Sequence, residues 1–327
     1  MRRRTLLKLI ALGAVAALPA HAQQAGSPRR VGFFYGGSRR SSRDTGRYQA
    51  FMQGMQELGY SGGKDFILIE RYSEDSALVL ERAKDLLSAK PEVVVVSGGI
   101  SLQALQKLGV KMPVVVAISA DPVRQGIADS PARPGRNFTG FSAALMEVFP
   151  RQVPLMKVAL PGITRLAVLS NPRNREHAAI ERTVADAAYE NGLRMQVVRV
   201  GASVELDAAF ADIEQHKPEA LMILGESFYV QHFREIAAFC IRYQMISSYS
   251  GREYPEAGGF MSYGPNFREH YRGAARLVDK ILKGAKPGEL PFEQLTKAEL
   301  VINRRTAKAL GLEVPDQLLV RADSIID

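Results

Sequence analysis

Residue types that perform catalysis are sparse and widely spaced in this 327-residue chain. Its histidines are isolated from one another, and the closest pair, His216 and His232, is separated by 16 positions. No two of them have the short spacing at which a helix or loop presents two imidazoles to a zinc ion. The Gly-x-Ser-x-Gly pattern of a nucleophile elbow is absent as well. A triad assembled only in space remains open, but the sequence predicts neither a catalytic centre nor a metal site.

Two of the glycine pairs follow apolar runs, as phosphate-binding loops do. Gly36-Gly37 comes after Val31–Tyr35, and Gly98-Gly99 comes soon after Val93–Val96. Neither pair belongs to a Gly-x-Gly-x-x-Gly or Walker sequence, so no nucleotide cofactor is predicted. Each pair suits a tight turn, and each equally suits a helix start whose backbone N–H groups hold an anion such as a carboxylate.

Small polar groups gather where the predicted strands end. In open α/β sheets, ligands bind beyond the carboxyl ends of the strands. Such a set suits a small polar solute that is oriented by a few hydrogen bonds and aromatic contacts. An ammonium group would favour Asp121 or Glu226, although Asp121 precedes Pro122 and equally suits a turn. The predicted ligand-binding residues are Tyr35, Gly36, Ser38, Ser97, Gly98, Ser101, Ser119, Asp121, Asn171, Glu226, Ser227, Tyr249 and Tyr263.

Short apolar strands alternate with amphipathic helices along the chain. Val93–Val96 and Ala220–Leu224 are continuous apolar runs, typical of parallel strands buried on both faces. Asp44–Leu58 has apolar residues at three- and four-residue spacing, which predicts one helix. Leu318–Val320 is predicted as the last strand. The alternation occurs in two successive units, which predicts an α/β fold with two parallel sheets.

Charge and composition indicate an exported globular protein. The formal net charge is +9, but Arg2, Arg3, Arg4 and Lys8 lie in the first 22 residues, and the remaining cations form no long run. Nucleic-acid binding is therefore not predicted. Residues 1–22 combine a basic start, an apolar stretch and small residues before position 23, the features of a cleaved signal peptide. The sole cysteine is Cys240, so no lipid anchor is expected at the cleavage site. We predict periplasmic export after cleavage near Ala22, by either the general or the twin-arginine route.

Four longer blocks of sequence resemble a known family. The chain resembles the extracytoplasmic solute-binding proteins of ABC transporters, in the branch that includes tryptophan- or aromatic-amino-acid-binding members. The resemblance covers nearly the whole mature chain. Its residues are Ala120–Val123 with Ala132–Gly135 and Asn137–Gly140, Glu256–Gly264, Ile281–Pro287, and Leu300–Asn303 with Thr306–Leu312.

This resemblance implies a type I periplasmic-binding-protein fold, in which two Rossmann-like lobes with parallel sheets are joined by three crossovers. By analogy the crossovers fall near residues 140–142, 263–265 and 290–294. Lobe 1 would comprise residues 29–141 and 265–290, and lobe 2 residues 142–264 and 291–327, with the ligand cleft between them. Gly140 would then lie at a hinge, and Gly140→Pro would impair closure more than the folding of lobe 1.

The implied function is that of a receptor without enzymatic activity. It would bind a small polar solute, an amino acid or related carboxylate, close on it and present it to an ABC permease in the inner membrane. No cofactor is implied. Two alternatives remain: a periplasmic sensor on the same fold, and an exported Rossmann-like enzyme. The loop after the first strand is unusually basic, so the identity of the solute does not follow from the resemblance.

Overall fold

The computed structural model of the chain describes residues 27–294 and 297–327. The predicted signal peptide, residues 1–22, lies outside the described residues. Within them, two sheets form the centres of two lobes. The strands are β1 (Arg29–Tyr35), β2 (Phe66–Tyr72), β3 (Val93–Val96), β4 (Val114–Ser119), β5 (Phe138–Ser142), β6 (Arg165–Ser170), β7 (Arg194–Arg199), β8 (Ala220–Ile223), β9 (Ile246–Tyr249), β10 (Met261–Gly264), β11 (Glu293–Gln294), β12 (Glu299–Asn303) and β13 (Ser324–Ile326).

Helices cover both faces of each sheet. They are α1 (Arg39–Asp44), α2 (Arg47–Glu57), α3 (Val79–Ser88), α4 (Gly99–Lys107), α5 (Leu145–Ala159), α6 (His177–Glu190), α7 (Leu206–His216), α8 (Ser227–Val230), α9 (Phe233–Arg242), α10 (Glu253–Glu256), α11 (Phe267–Leu282), α12 (Arg304–Ala309) and α13 (Asp316–Leu319). Two short 3₁₀ helices, Ser203–Glu205 and Pro287–Glu289, complete the set. None of the described helices is long and apolar enough to cross a membrane.

The first lobe is built on a six-stranded sheet in the order β11-β5-β4-β3-β1-β2, with every pair parallel. The buried valines of β3 and β4 explain this arrangement, because strands apolar on both sides need helices over both faces. One face packs against α2 and α11, and the other against α3 and α4.

The second lobe is built on a seven-stranded sheet in the order β13-β12-β10-β9-β8-β6-β7. All of its pairs are parallel except β10 with β12, which run antiparallel. One face packs against α5 and α6, and the other against α7 and α9. The two parallel-dominated sheets agree with the predicted α/β fold.

The chain passes between the sheets three times. It leaves the first sheet after β5, returns after β10 through α11, which packs on α2, and leaves again after β11. The prediction placed residues from 291 onward in lobe 2. However, Glu293 and Gln294 pair with Phe141 and Ser142, so the first sheet extends four residues beyond that boundary.

Two predicted elements differ from the structure. The helix expected over Asp44–Leu58 begins only at Arg47, as α2, and Asp44 is instead the last residue of α1. The two helices are separated at Gly46, whose φ of 74° lies in the left-handed region that glycine adopts easily. The strand expected at Leu318–Val320 is instead the end of α13 and the turn after it. Leu318 alone of these three residues is buried, so the apolar run has one inward-facing residue rather than the alternation of a strand.

Gly140 lies inside β5 rather than at a free hinge. Its φ is 151°, and a Cβ at this position would be 2.0 Å from the carbonyl oxygen of Val116 on β4. Any larger residue would therefore force the two strands apart. The expectation that Gly140→Pro affects closure more than folding is wrong on this geometry, because the substitution disrupts the sheet of the first lobe.

Candidate functional site

A narrow cavity lies between the two lobes. The first lobe contributes the ends of β3 and β4 and the starts of α2, α4 and α11. The second lobe contributes the starts of α5 and α6, the end of β9 and the turn from β8 into α8. The carboxyl ends of parallel strands from both sheets therefore meet at one place, as expected for this type of sheet.

Arg47 is the positive group of the cavity. It lies at the start of α2, and its side chain is only 2% exposed. Its Nε donates a hydrogen bond to Oε1 of Glu253 at 3.1 Å, and its Nη1 donates to the Tyr35 hydroxyl at 3.4 Å. Its guanidinium carbon lies 5.0 Å from the centre of the Phe267 ring, within the range of a cation–π contact.

One donor of Arg47 is free. Among the described residues, Nη2 has no hydrogen-bond partner although it is buried. Burial is the largest single influence and lowers the pKa of Arg47, but Glu253 together with Tyr35, Tyr249 and Tyr271 outweighs it and holds this pKa above its ordinary value. Arg47 is thus a permanent buried cation at the cavity wall, with a donor available for an anionic group.

Glu226 is one of two acids that line the cavity from the second lobe, and the other is Glu176. Glu226 precedes α8, and its Oε1 accepts a hydrogen bond from the Ser227 N–H at 2.9 Å. Its Oε2 accepts one from Nδ2 of Asn174, also at 2.9 Å. Burial raises the pKa of Glu226 to about 7, although these hydrogen bonds act in the other direction. The carboxyl group therefore changes its charge near neutral pH.

The glycine pair Gly98-Gly99 brings the first lobe close to Glu226. A Cβ at Gly98 would lie 1.8 Å from the carbonyl oxygen of Ile118, and a Cβ at Gly99 would lie 3.1 Å from Oε2 of Glu226. Gly98 also has a φ of 87°, so only glycine fits this turn without strain. The turn places the start of α4 against the acid of the other lobe.

His177 lines the cavity as a neutral imidazole. Its Nδ1 accepts a hydrogen bond from the Asn171 N–H at 2.8 Å, and its Nε2 faces the Gly225 carbonyl oxygen at 3.4 Å. The Nδ1 contact requires an unprotonated nitrogen, which places the proton on Nε2. Burial lowers the pKa of His177 to about 4, so it stays neutral through the physiological range. Within the described ranges, no group of three acidic, histidine or cysteine side chains is arranged to hold a metal ion.

The predicted ligand-binding residues fall into three positions relative to the cavity. Those that line it are Ser97, Gly98, Glu226, Ser227 and Tyr249. A second group lies directly behind the wall: Tyr35 accepts from Arg47, Gly36 donates its N–H to Ser97 Oγ at 3.2 Å, Ser101 Oγ is buried without a partner among the described atoms, and Asn171 orients His177.

The third group lies outside the lining of the cavity. Ser38 caps α1 by accepting from the Ser41 N–H, and Ser119 donates to Gln125 Oε1. Asp121 accepts from the N–H groups of Val123 and Arg124 at 2.9 and 3.0 Å, which is the turn-forming arrangement. Tyr263 lies on β10 and packs against the core of the second lobe.

Several cavity residues were not among the predicted ones: Arg47, Gln125, Asn174 and His177. One sequence signal could have identified the first of them. Arg47 precedes Phe51 and Met55 by four and eight positions, which places it on the buried face of α2. A charged residue on an apolar helix face is a site candidate because burying a charge without a partner is unfavourable. No comparable periodicity marks Asn174 or Gln125, which lie in turns.

Comparisons with known proteins agree with this architecture. A family model described as "ABC transporter substrate binding protein" matches residues 41–326. A curated "Tyrosine-binding protein" from Clostridioides difficile (strain R20291) is 21% identical over 266 residues, which span 81% of this chain and 76% of that protein.

Two solved structures share the fold over nearly their whole length. One is an ABC domain in complex with L-Trp from Streptococcus pneumonia, with a TM-score of 0.79 at 21% identity, covering 90% of this chain and 100% of that chain. The other is a substrate-binding protein with adhesive properties from Clostridium difficile in its ligand-free, open structure. It has a TM-score of 0.60 at 17% identity, covering 91% of this chain and 99% of that chain. The predicted type I periplasmic-binding-protein fold is confirmed.

Proposed function

Because the chain belongs to the ABC transporter substrate-binding protein family, we propose that it is an extracytoplasmic receptor for a small polar solute, an amino acid or related carboxylate, which it binds in the interlobe cavity. The single observation that carries this proposal is that two buried groups of opposite charge type, a guanidinium and a carboxyl, line one cavity. Arg47 has a guanidinium nitrogen without a partner among the described residues, and Glu226 is a buried carboxyl that titrates near neutral pH. These are the complements of a carboxylate and an ammonium group.

The apolar and aromatic residues of the cavity lining suit an apolar or aromatic ligand side chain. Ile118 and Phe267 come from the first lobe, and Leu145, Ile180 and Tyr249 come from the second. Aromatic rings supply large contact areas to a bound ring. The curated tyrosine-binding relative and the tryptophan complex also favour an aromatic amino acid, so tyrosine and tryptophan are our first candidates.

The cavity would capture its ligand by closure of the two lobes. Arg47 with Glu253, Arg173 Nη1 with Ser76 Oγ at 2.7 Å, and Gln231 Nε2 with the Glu74 carbonyl oxygen at 3.0 Å all join one lobe to the other. The fold superposes better on the tryptophan complex than on the open, ligand-free relative, as expected if the lobes are in a closed arrangement. A ligand that binds the closed form more tightly shifts the population toward it.

The partner and location follow from the same proposal. A signal peptide at residues 1–22 would export the chain to the periplasm, and an ABC permease in the inner membrane would receive the solute from the closed receptor. The receptor itself would carry out no chemical reaction. A sensor on the same fold would bind ligand in the same way, and the two roles differ in whether deletion abolishes uptake of the solute.

A thermal-shift screen of L-amino acids and small carboxylates tests the binding proposal. We expect tyrosine, tryptophan or phenylalanine to raise the melting temperature, while the ligand is recovered chemically unchanged. The matched analogues are tyramine, which lacks the carboxylate, and 3-(4-hydroxyphenyl)propionate, which lacks the ammonium group. Stabilisation by both analogues equal to that by tyrosine would contradict the two-group site, and conversion of any ligand to a product would contradict a receptor without enzymatic activity.

A further inference from the structure

A second interlobe surface lies at the mouth of the cavity and is strongly basic. This mouth groove is formed by α4 and the loop after β4 in the first lobe, and by the start of α6 and the turn before it in the second. It shares Gln125 and Glu176 with the ligand cavity. Its cations are Lys107 and Arg124 from the first lobe, and Arg175 and Arg182 from the second.

These four cations differ from most arginines of the chain because none of them forms a salt bridge among the described residues, although Arg124 is close enough to Glu176 to oppose the rise that burial causes in the pKa of that carboxyl. All four side chains are exposed, and none has a carboxylate oxygen within 4.0 Å among the residues that the structure describes. Other exposed arginines are paired, for example Arg136 with Asp129 and Arg199 with Glu181. Glu176 is the single acid in the groove lining, so the groove keeps an excess of positive charge.

Closure of the lobes brings the two pairs of cations to one groove. Like charges that approach one another repel, and the cost falls when an anionic group lies between them. An anion in the groove would therefore favour the arrangement in which both lobes contribute. Because each lobe supplies only two of the four cations, neither lobe alone presents the full set.

The size and exposure of the groove favour an extended partner over a small ion. Sites for single anions use preorganised donors that are shielded from water, whereas the four cations here are exposed, flexible side chains. The groove encloses about 590 Å³, far more than one carboxylate or phosphate fills. We propose that the mouth groove docks an acidic segment of a protein partner and thereby recognises the closed receptor, an inference that rests on the lobe closure of the proposed function.

Fluorescence anisotropy with a labelled hexaglutamate peptide tests this proposal on the exported chain at low salt. Arg124→Glu and Arg175→Glu, one in each lobe, should each weaken peptide binding by about tenfold, since each reverses one exposed charge contact. Lys84→Glu is the matched control, because it reverses an exposed cation on α3, away from the groove. Peptide binding by Lys84→Glu should equal that of the unmodified protein.

Three results would overturn the proposal. If Lys84→Glu weakened peptide binding by the same factor, peptide binding would depend on the net charge of the protein and not on the groove. Competition by an equimolar amount of inorganic phosphate would indicate a small-ion site, and preferential binding of vesicles of anionic lipid would indicate a membrane contact instead. Amino-acid binding is measured on the same variants and should be unchanged. Peptide binding could thus fail while amino-acid binding persists, which separates failure of this inference from failure of the proposed function.

Discussion

Arg47 Nε and Glu253 Oε1 lie 3.1 Å apart and join the two lobes through an ion pair whose side chains are both 2% exposed. The pair is incompletely satisfied, because Arg47 Nη2 and Glu253 Oε2 have no partners among the described residues. Burying two charges is unfavourable unless their remaining atoms are also bonded. We therefore propose that the pair is a contact of the closed arrangement and that a ligand carboxylate would accept the hydrogen bond that Arg47 Nη2 has free.

Glu253→Gln should shift the unliganded protein toward an open arrangement. Removal of the acid leaves a buried guanidinium, which costs at most about 3–5 kcal/mol, and the lobes can relieve this cost by separating and hydrating Arg47. Small-angle X-ray scattering should show a larger radius of gyration. Glu219→Gln is the control, because Glu219 pairs with Arg165 inside the second lobe. An unchanged radius for Glu253→Gln would count against the interlobe role of the pair.

Replacement of Arg47 should weaken binding of ligands that carry a carboxylate. We expect the double substitution Arg47→Met with Glu253→Leu to weaken tyrosine binding by about 1.5–3 kcal/mol, the range for a hydrogen bond to a charged group. The double variant avoids leaving Glu253 buried without a partner. Calorimetry should also show that tyrosine no longer binds more tightly than tyrosinamide. Retained discrimination between these two ligands would place the carboxylate elsewhere.

Glu226 should make amino-acid binding dependent on pH. Its pKa is raised to about 7, so an ammonium group that binds the ionised carboxylate must displace a proton at lower pH. Affinity should rise by about tenfold from pH 6 to pH 8, with proton release at pH 6 measured by calorimetry in two buffers. Glu226→Gln should bind more weakly and with no such dependence. Equal pH profiles for the two proteins would remove Glu226 from the ammonium site.

The same carboxyl should affect the stability of the unliganded protein. Glu226 holds its proton in the folded state at pH values where the unfolded chain, with a pKa of 4.5, has released it. The stabilisation of the folded state that this raised pKa provides is therefore complete below pH 4.5 and is lost as the pH rises through 7. The free energy of unfolding of Glu226→Gln relative to the unmodified protein should rise by roughly 3 kcal/mol between pH 4.5 and 8.

The comparison of Glu226→Gln with the unmodified protein also separates the effect of Glu226 on the pH dependence of stability from that of His177. The lowered pKa of His177, about 4, acts in the opposite sense, because its contribution is present above pH 6.5 and is lost as the pH falls through 4. Both proteins retain His177, so its contribution cancels in the difference. Urea unfolding at several pH values gives the measurement, and a difference that does not change with pH would mean that Glu226 is ionised in the folded state.

Gly140→Ala should destabilise the first lobe directly. Its Cβ would meet the Val116 carbonyl oxygen at 2.0 Å, so β4 and β5 must separate. We expect a loss of more than about 3 kcal/mol in the free energy of unfolding. Gly192→Ala is the control: its φ is 71°, but nothing lies within 4 Å of its Cβ, and its cost should be about 1–2 kcal/mol. Equal losses of unfolding free energy in the two variants would show that the close approach of Gly140 to the Val116 carbonyl oxygen does not affect stability.

Most of the fold could be predicted because short, continuous stretches of the sequence determine its strands and helices. The valine runs of β3 and β4 and the alternation of strands with helices require parallel sheets covered on both faces. Residues at strand ends, such as Ser97 and Glu226, were predicted for the same reason. Short elements were less predictable: α13 and β11 depend on contacts with distant parts of the chain.

The remaining site residues depend on contacts between distant parts of the chain, within one lobe or between the two. Asn174 lies at the cavity because its Nδ2 reaches Glu226, 52 positions later in the chain. The pairing of Arg47 with Glu253 spans 206 positions, and no local pattern encodes such a contact. Asp121 suited both a turn and a ligand contact; the structure shows the turn, and the ligand contact stays a prediction.

Isothermal titration calorimetry with L-tyrosine and L-tryptophan tests the central claim most directly, on protein unfolded and refolded to remove any bound solute. We predict that at least one of them binds with one site per chain and a dissociation constant in the micromolar range or tighter. The corresponding amine and deaminated acid should bind at least about a hundredfold more weakly, as expected when a buried charged group is left unpaired. Absence of binding by any amino acid, or equal affinity for the amine, would contradict the account.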